Sequence, residues 1–398
     1  MSGSRTTGGN PGRTLLALLL VHSAITQVVT FVLRPTSAYR ALELDVPTAW
    51  LGALTASFAV VPLLLAVPSG QATDRFGERR VMLVGAVLMT VSGAIFWTER
   101  GGAAGLVLGS VVLGTGHLLS VVGQQAAVAN TAGPGRFDTA FGYYTFAASL
   151  GQAIGPGLIT VLGGSGAIPD TTPIFATATA LGVVLLFCTA FLRMPVREKA
   201  SGDAAVGGMG TLLRLPGLVR ALVISCVVLS AVDITLVYLP ALGADRGLAA
   251  GFVGLLLTLR AVASMSSRLF LGRLVARVGR RRLMIVSVAL TAVSMAVVAA
   301  PLPPVAMAGV VVLLGLGLGV GQPLTMSWLA EVAPPGLRGR AMSLRLTGNR
   351  LGQVLIPSAV GLVAAGVGAA GVLVVTAAAL AAVGVAARRL AVDGGPAT

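Results

Sequence analysis

The chain has 398 residues, of which 56% are hydrophobic and 10% are charged, and its formal net charge is +15. A soluble globular domain contains about 25% charged residues, so this composition excludes a chain that folds mainly in water. The positive charge does not indicate nucleic-acid binding, because the basic residues are spread over short segments instead of one folded face.

Apolar runs long enough to cross a bilayer recur along the whole chain. A hydrocarbon core about 30 Å thick needs roughly 20 apolar residues per helix. The sequence therefore predicts an all-α integral membrane protein with twelve transmembrane helices, over residues 14–33, 47–68, 81–98, 103–123, 139–163, 173–192, 216–240, 247–271, 283–301, 304–330, 341–366 and 369–387. The first run resembles a secretory signal, but no small-residue cleavage site follows it, so we predict an uncleaved first span.

The distribution of lysine and arginine predicts the orientation of these spans. With the N-terminus inside, nineteen of the 28 basic residues lie in the tails and even-numbered loops, and four lie in the odd-numbered loops. Cytoplasmic loops retain basic residues. We therefore expect a multi-pass protein of the cell (plasma or inner) membrane, with cytoplasmic tails over residues 1–13 and 388–398.

Two segments of the chain are repeated. The segment GQATDRFGERRVML from Gly70 matches GRLVARVGRRRLMI from Gly272, and LGQAIGP from Leu150 matches LGQVLIP from Leu351. The offsets are 202 and 201 residues, so the two matches together indicate an internal duplication. We predict two pseudo-symmetric six-helix bundles over residues 14–192 and 216–387, joined by a polar cytoplasmic linker over 193–215. This arrangement is typical of a transporter whose site lies between the halves.

A motif lies between the second and third predicted helices. Its members are Gly70, Asp74, Arg75, Gly77, Arg79 and Arg80. Together with the duplication, this motif resembles the major facilitator superfamily over nearly the whole chain. The resemblance implies that Asp74 lies at the start of the eleventh helix, where a carboxylate suits the helix dipole, and that the motif forms a cytoplasmic latch between the halves. The alternative, a solvated turn, explains the arginines but neither Asp74 nor the glycines.

The second copy of this motif has Ala276 in place of Asp74. We therefore expect any latch in the second copy to lack that carboxylate.

The fifth predicted helix carries a second pattern, made of Gly142, Gly151, Gly155 and Pro156. It resembles a pattern of the family's antiporters, which implies export of substrate against incoming protons. The sequence departs from that pattern at Ile159 and Thr160, and generic packing of small residues is the alternative. Many drug exporters of the family carry a proton-linked arginine in the fourth helix, where this chain has Ser110, so the resemblance assigns no proton relay there.

Ionisable groups inside the spans are candidates for proton coupling, because burying them in a membrane is costly. Asp233 is the only acid well inside a predicted span, and Arg260 lies near the centre of the next span. We expect the two to pair, either as a permanent structural pair or as the element that couples proton and substrate. His22 and His117 are further candidates, with packing or hydrogen bonding as the alternative.

Polar residues inside the spans are candidates for the substrate pathway. The eleventh helix carries a polar stripe formed by Arg345, Asn349, Arg350 and Gln353. This stripe cannot face lipid, so it faces either the cavity or another helix. Gln152 is the repeat counterpart of Gln353, and Arg34 lies toward the outer end of the first helix. The excess of cations favours an anionic or zwitterionic substrate, although arginines near the cytoplasm, such as Arg268 and Arg345, can also reach the membrane surface.

These observations predict a secondary active transporter that works by alternating access and exports a small organic molecule in exchange for protons. The alternatives are an uptake symporter or exchanger for an anionic metabolite, and a non-transporting receptor. An enzyme is not expected, because the sequence contains no phosphate-cradling glycine loop, zinc-type His–Glu spacing or paired carboxylates. We expect a monomer in a lipid bilayer, without cofactor, metal or nucleic acid.

Overall fold

The structure is a computed structural model that describes residues 11–44, 49–98, 102–133, 135–162, 169–192, 194, 209–215, 217–248, 250–334 and 336–387. Within these ranges every regular element is a helix. The helices are α1 (Pro11–Glu43), α2 (Ala49–Phe76), α3 (Glu78–Thr98), α4 (Gly102–Thr131), α5 (Phe137–Leu162), α6 (Thr171–Phe191), α7 (Met209–Leu213), α8 (Leu218–Asp245), α9 (Ala250–Leu269), α10 (Leu271–Val278), α11 (Arg280–Val298), α12 (Pro304–Val332) and α13 (Arg338–Ala387).

The predicted all-α membrane fold is confirmed, and each of the twelve predicted spans coincides with a helix. The last two spans share α13, which Gly368 interrupts with a non-helical backbone (φ 64°, ψ −175°). By length and apolarity alone, eight of the described helices qualify as spans, or nine if the bent α9–α10 pair is one span. The short helix α7 lies within the predicted linker.

The charged stretch after the second span is helical, although we expected a loop there. Helix α2 continues to Phe76, and Gly77 (φ 89°) alone separates it from α3. In the second copy α10 is bent by 64° from α9, and Gly279 (φ 83°) precedes α11. Glycine suits both turns because a side chain disfavours positive φ. Continuing the helix pairs most backbone groups internally, so a longer loop is not required.

Contacts between Cα atoms divide the chain into two compact units. The first consists of Met1–Pro134, Ala147–Ala205 and Pro335–Ser343, and the second of Gly135–Phe146, Val206–Pro334 and Leu344–Thr398. The first residues of α5 therefore belong to the second unit, and the first residues of α13 belong to the first unit. The predicted domain boundaries remain a prediction, since residues 1–10, 388–398 and most of the linker lie outside the described ranges.

Close helix packing in each unit depends on small residues. In the first unit, a Cβ atom at Gly85 of α3 would lie 2.8 Å from the carbonyl oxygen of Gly116 of α4. In the second unit, a Cβ atom at Gly317 of α12 would lie 2.8 Å from the carbonyl oxygen of Ser287 of α11. Larger side chains would separate these helices, because helices in lipid associate through close packing.

Candidate functional site

The Asp74 cluster, made of Asp74, Gly339 and Arg340, joins the end of α2 to the start of α13 within the first unit. The Asp74 carboxylate accepts hydrogen bonds from the backbone N–H groups of Gly339 at 2.8 Å and Arg340 at 3.0 Å. Its side chain is only 5% exposed. The first N–H groups of a helix have no partner within it. The carboxylate thus satisfies two such donors and lies at the positive end of the helix dipole.

Gly70 allows α2 and α13 to approach at this cluster. A Cβ atom at Gly70 would lie 2.7 Å from the carbonyl oxygen of Gly339 and 2.3 Å from Oγ of Ser343. The Gly339 carbonyl is backbone and cannot rotate away. A side chain at position 70 would therefore force the two helices apart.

The start of α13 is also bound to the end of α4. Arg338 donates to the carbonyl oxygen of Ala129 at 2.8 Å and to Oδ1 of Asn130 at 3.0 Å. Asn130 in turn donates to the carboxylate of Glu78. Neither Arg338 nor Glu78 was a candidate from the sequence.

The arginines of the motif lie around the α2–α3 turn. The guanidinium of Arg75 lies over the Phe76 ring at 5.2 Å from its centroid. Arg79 donates to the carbonyl oxygen of Ala190, which ties α3 to the end of α6. The side chain of Arg80 is exposed.

The Asp138 cluster lies at the corresponding helix ends of the second unit, and consists of Asp138, Arg280, Ser327 and Glu331. Arg280 donates to both carboxylate oxygens of Asp138, at 3.2 Å and 2.8 Å, and also to Glu331. The Ser327 hydroxyl donates to Asp138 as well. A guanidinium bound bidentately by a buried carboxylate is a strong, directional contact.

Sequence reasoning missed the Asp138 cluster, and expected no carboxylate in the second copy because Ala276 replaces Asp74. In the first copy the carboxylate comes from the end of α2 and contacts the start of α13. In the second copy the carboxylate, Asp138, comes instead from the start of α5. The duplication contained a usable signal: its offsets align Arg280 with Glu78, and Glu331 with Asn130.

The glycine pattern of α5 faces two different helices. In the second unit, a Cβ atom at Gly142 would lie 2.5 Å from the carbonyl oxygen of Arg268 in α9. In the first unit, Gly151 and Gly155 lie against α1, where added Cβ atoms would be 2.3 Å from the Ala24 oxygen and 2.8 Å from Cβ of Phe31. Pro156 lies within α5.

Asp233 and Arg260, the predicted pair, are neighbours in the second unit. Arg260 is 7% exposed, Asp233 is half-buried, and their opposite charges interact. A Cβ atom at Gly315 of α12 would lie 2.4 Å from the Arg260 carbonyl oxygen, so α12 packs directly against the backbone that carries this arginine. Nε of Arg260 has no hydrogen-bond partner among the described residues. The Arg260 guanidinium thus keeps one buried N–H group without an acceptor in the described part of the chain.

The polar stripe near the start of α13 is largely buried within the second unit. Arg345 and Asn349 are 2% and 4% exposed. Asn349 accepts a hydrogen bond from the Ser225 hydroxyl at 2.9 Å. Arg350 is half-buried, and the side chain of Gln353 lies outside the described residues.

His22 is fully buried in a hydrogen-bond network of the first unit. Its Nδ1 lies 2.8 Å from Nε2 of Gln124, and its Nε2 lies 2.7 Å from the Thr189 hydroxyl. Gln124 also donates to the Thr26 hydroxyl at 2.9 Å. Assigning donors across this network gives a neutral imidazole that accepts at Nδ1 and donates at Nε2. The geometry favours the hydrogen-bonding interpretation of His22 over proton transfer.

Arg34 and His117 lie near Phe58 in the first unit, and Gln152 lies near Gln27. The Arg34 guanidinium lies 4.3 Å from the centroid of the Phe58 ring, and the His117 ring lies 5.7 Å from the same ring. The side chain of Gln152 is exposed, and its Nε2 is 3.5 Å from Oε1 of Gln27. Phe58 and Gln27 were not candidates from the sequence.

Among the described residues, no group of three or more His, Cys, Asp or Glu side chains is arranged to hold a metal ion.

Comparison with protein families decides the identity of the fold. The model of the Major Facilitator Superfamily matches residues 16–242 and 221–397. The chain belongs to the Major Facilitator Superfamily. It therefore has the fold of a multi-pass membrane transporter, and the family implies a non-enzymatic protein. Comparison with curated proteins gives no significant match.

Solved structures of this superfamily share the fold at low sequence identity. The E. coli fucose:proton symporter FucP is 14% identical with a TM-score of 0.81, over 95% of this chain and 99% of that one. The human organic anion transporter MFSD10 is 18% identical with a TM-score of 0.75, over 95% and 100%. A bacterial homologue of the iron transporter ferroportin is 16% identical with a TM-score of 0.77, over 94% and 98%.

Proposed function

We propose that this superfamily member is a proton-coupled secondary transporter that exports a small organic molecule by alternating access. The observation that carries the proposal is the pair formed by Asp233 and Arg260 on adjacent helices of the second unit. Asp233 is the only acid well inside a predicted span. A group of this kind can take up a proton and lose its charge at membrane depth.

The pair can couple proton and substrate because its energy depends on protonation. An ionised Asp233 balances the charge of Arg260, whereas a protonated Asp233 leaves that charge uncompensated in a medium that penalises it. The two protonation states therefore favour different surroundings for Arg260. A ligand or proton shifts a conformational equilibrium only by such a difference between states.

The two cytoplasmic clusters would supply the gates of this cycle. We propose that the Asp74 cluster holds the predicted cytoplasmic side closed, because breaking it exposes two helix N–H donors and a buried carboxylate. The Asp138 cluster would act in the same way in the second copy. Each closed contact would have to open once per transport cycle.

Export is favoured by the glycine pattern of α5, which packs on α1 through Gly151 and Gly155 and on α9 through Gly142. The pattern resembles that of the family's antiporters. Uptake by a symporter or exchanger is the second candidate, since the fucose transporter of similar fold is named a symporter. A receptor that does not transport is the third.

Proton flux in reconstituted vesicles tests this function across several classes of compound. Inverted vesicles are made acid inside, and a pH-sensitive dye reports the interior while organic acids, amines and neutral sugars are added in turn. Export by proton exchange predicts loss of interior acid when a substrate is added, together with accumulation of that substrate inside. Protein-free vesicles correct for compounds that cross the bilayer unaided. Accumulation only in the opposite gradient would instead establish uptake, and no proton flux with any compound would contradict the proposal.

A further inference from the structure

Helix α1 carries two polar faces that contact different partners. On one face His22 and Thr26 are buried and bonded to α4 and α6. On the other face Gln27 and Arg34 lie seven residues apart, which places them on the same side about two turns or 10 Å apart. The first face is a closed network, whereas the second presents amide and guanidinium groups.

The second face lies beside α5. Gly151 and Gly155 pack against Ala24 and Phe31 of α1, and the exposed side chain of Gln152 lies next to Gln27. The 3.5 Å separation of the two amides is at the long limit of a hydrogen bond, so neither amide is tightly fixed by the other. A primary amide at membrane depth cannot be left facing lipid. We therefore place an aqueous space beside Gln152.

The guanidinium of Arg34 lies over the ring of Phe58. The guanidinium carbon lies 4.3 Å from the ring centroid, which is a cation–π contact. The N–H donors of a guanidinium form a planar fork that matches a carboxylate. Phe58 is brought close by Gly114 of α4, where a Cβ atom would lie 2.1 Å from the Phe58 carbonyl oxygen. The position of Arg34 over Phe58 thus depends on the packing of α1, α2 and α4.

We propose that Arg34, Gln27 and Gln152 form the substrate site of the first unit, and that its substrate class is a small organic carboxylate with a hydroxyl or amide group at its other end. Arg34 would bind the carboxylate, and the two amides, about 10 Å away along α1, would bind the second polar group. Arg34 is the one charged member among these three residues, so the site carries positive charge. This inference rests on the proposed transport function and specifies the chemistry of its substrate.

The charge of the site can be measured without a substrate. Gln152→Cys is introduced with Cys188→Ser and Cys226→Ser, and its reaction rates with an anionic sulfonate and a cationic trimethylammonium thiosulfonate reagent are normalised to a free thiol in solution. We expect the anionic reagent to be preferred, and Arg34→Gln to reduce that preference by about fivefold, as expected for a unit charge near 10 Å in a partly solvated site. Arg34→Lys should retain it, because the charge remains.

The matched control is Arg40→Gln. Arg40 also lies on α1, but it is paired with Glu43 at 2.7 Å near the end of the helix. Its removal should leave the reagent preference unchanged. An equal preference for both reagents, or a preference that survives Arg34→Gln, would overturn the inference, as would failure of both reagents to reach position 152.

Binding tests the substrate class directly. Purified protein is titrated with hydroxylated and N-acylated carboxylates and with the primary amides of the same acids, and thermal unfolding reports binding. At least one carboxylate should bind about tenfold more tightly than its amide, Arg34→Gln should abolish that difference, and Gln152→Ala should weaken binding several-fold. Equal binding of acids and amides, or no binding of any carboxylate, would contradict the class. Carboxylate binding without proton flux in vesicles would refute the proposed transport but not the site. Proton flux with cations alone would support the proposed transport but refute the carboxylate site.

Discussion

The Asp74 cluster and the Asp138 cluster lie at corresponding helix ends in the two copies of the duplicated sequence, but they use residues from different repeat positions. In the first copy the carboxylate comes from α2, before the turn, and binds backbone N–H groups at the start of α13. In the second copy the carboxylate comes from the start of α5 and binds Arg280, which follows the turn. Both copies retain a glycine at the contact, Gly70 and Gly272. The two copies thus share the close approach of two helices, but they differ in the hydrogen bonds and ion pairs formed at that contact.

The two clusters should also differ in strength. Asp74 accepts from two neutral backbone donors at the positive end of a helix dipole. Nε of Arg340 lies 3.7 Å from its carboxylate, beyond hydrogen-bond distance, in a side chain that is 25% exposed. Arg280 lies between two carboxylates and is 12% exposed in its side chain. Removing one member of a buried ionic group leaves the others uncompensated. We therefore expect the second cluster to be the more sensitive to substitution.

Arg280→Gln should have the largest effect. It would leave the buried carboxylate of Asp138 without its cation and should lower stability by about 3–5 kcal/mol. Thermal unfolding of the purified protein measures this loss. Arg282→Gln, at an exposed neighbour, is the control and should change stability little. Similar losses in the two variants would show that Arg280 has no special role.

Gly70→Ala should be more harmful than Gly272→Ala, although the two positions are repeat counterparts. The new Cβ atom at position 70 would meet backbone, the carbonyl oxygen of Gly339 at 2.7 Å, whereas at position 272 it would meet Oγ1 of Thr139, which can rotate. We expect about 1–3 kcal/mol for Gly70→Ala, as for other overpacked contacts, and less for Gly272→Ala. Unfolding of both variants in the same detergent decides the order, and the reverse order would contradict the packing described here.

Asp74→Asn should cost about 1–2 kcal/mol at the contact, because the amide oxygen still accepts one hydrogen bond but carries no charge. If the cluster is a gate, the transport rate should fall several-fold in a protein that remains folded. Asp170→Asn is a matched control, since Asp170 caps α6 by accepting from Thr172 N–H at 3.0 Å without joining two helices. Wild-type turnover in Asp74→Asn, or equal slowing in Asp170→Asn, would contradict the proposal that the Asp74 cluster is a gate.

Ala276→Asp should have the smallest effect. It restores the acid of the first copy at the repeat position in the second copy, where Asp138 and Glu331 already provide negative charge. Position 276 is exposed, so the repulsion should cost less than about 1 kcal/mol. A clear gain in thermal stability would instead indicate that the second copy accepts the arrangement of the first.

The two copies differ in how far the sequence could predict them. The helices were predictable because bilayer thickness sets a length that apolar runs must match. The length of each helix beyond the membrane was not, since Asp74 and Arg75 are polar yet continue α2 to the single turn at Gly77. Outside the lipid, the amino-acid composition does not show at which residue a helix ends.

The candidate sites were predictable where one residue was unusual in its surroundings. Asp233 and Arg260 were candidates because ionisable groups are rare in spans, and their opposite charges interact in the structure, while their role in coupling stays a prediction. Asp138 and Glu331 were missed because acids near helix ends are common and neither has an identical counterpart in the first copy. Phe58 was missed because its role depends on Gly114 and Arg34, which are distant in sequence.

The most direct test of proton coupling compares Asp233→Asn with Asp245→Asn, which removes an acid at the end of the same helix. The test compound is the one that gives the largest proton flux with the wild-type protein, and both proton-driven accumulation and exchange of labelled for unlabelled compound are measured in one vesicle preparation. We expect Asp233→Asn to lose accumulation and to retain exchange, since exchange needs no net proton movement, and Asp245→Asn to retain both. Full proton-driven accumulation in Asp233→Asn would contradict the central claim that this carboxylate couples protons to transport.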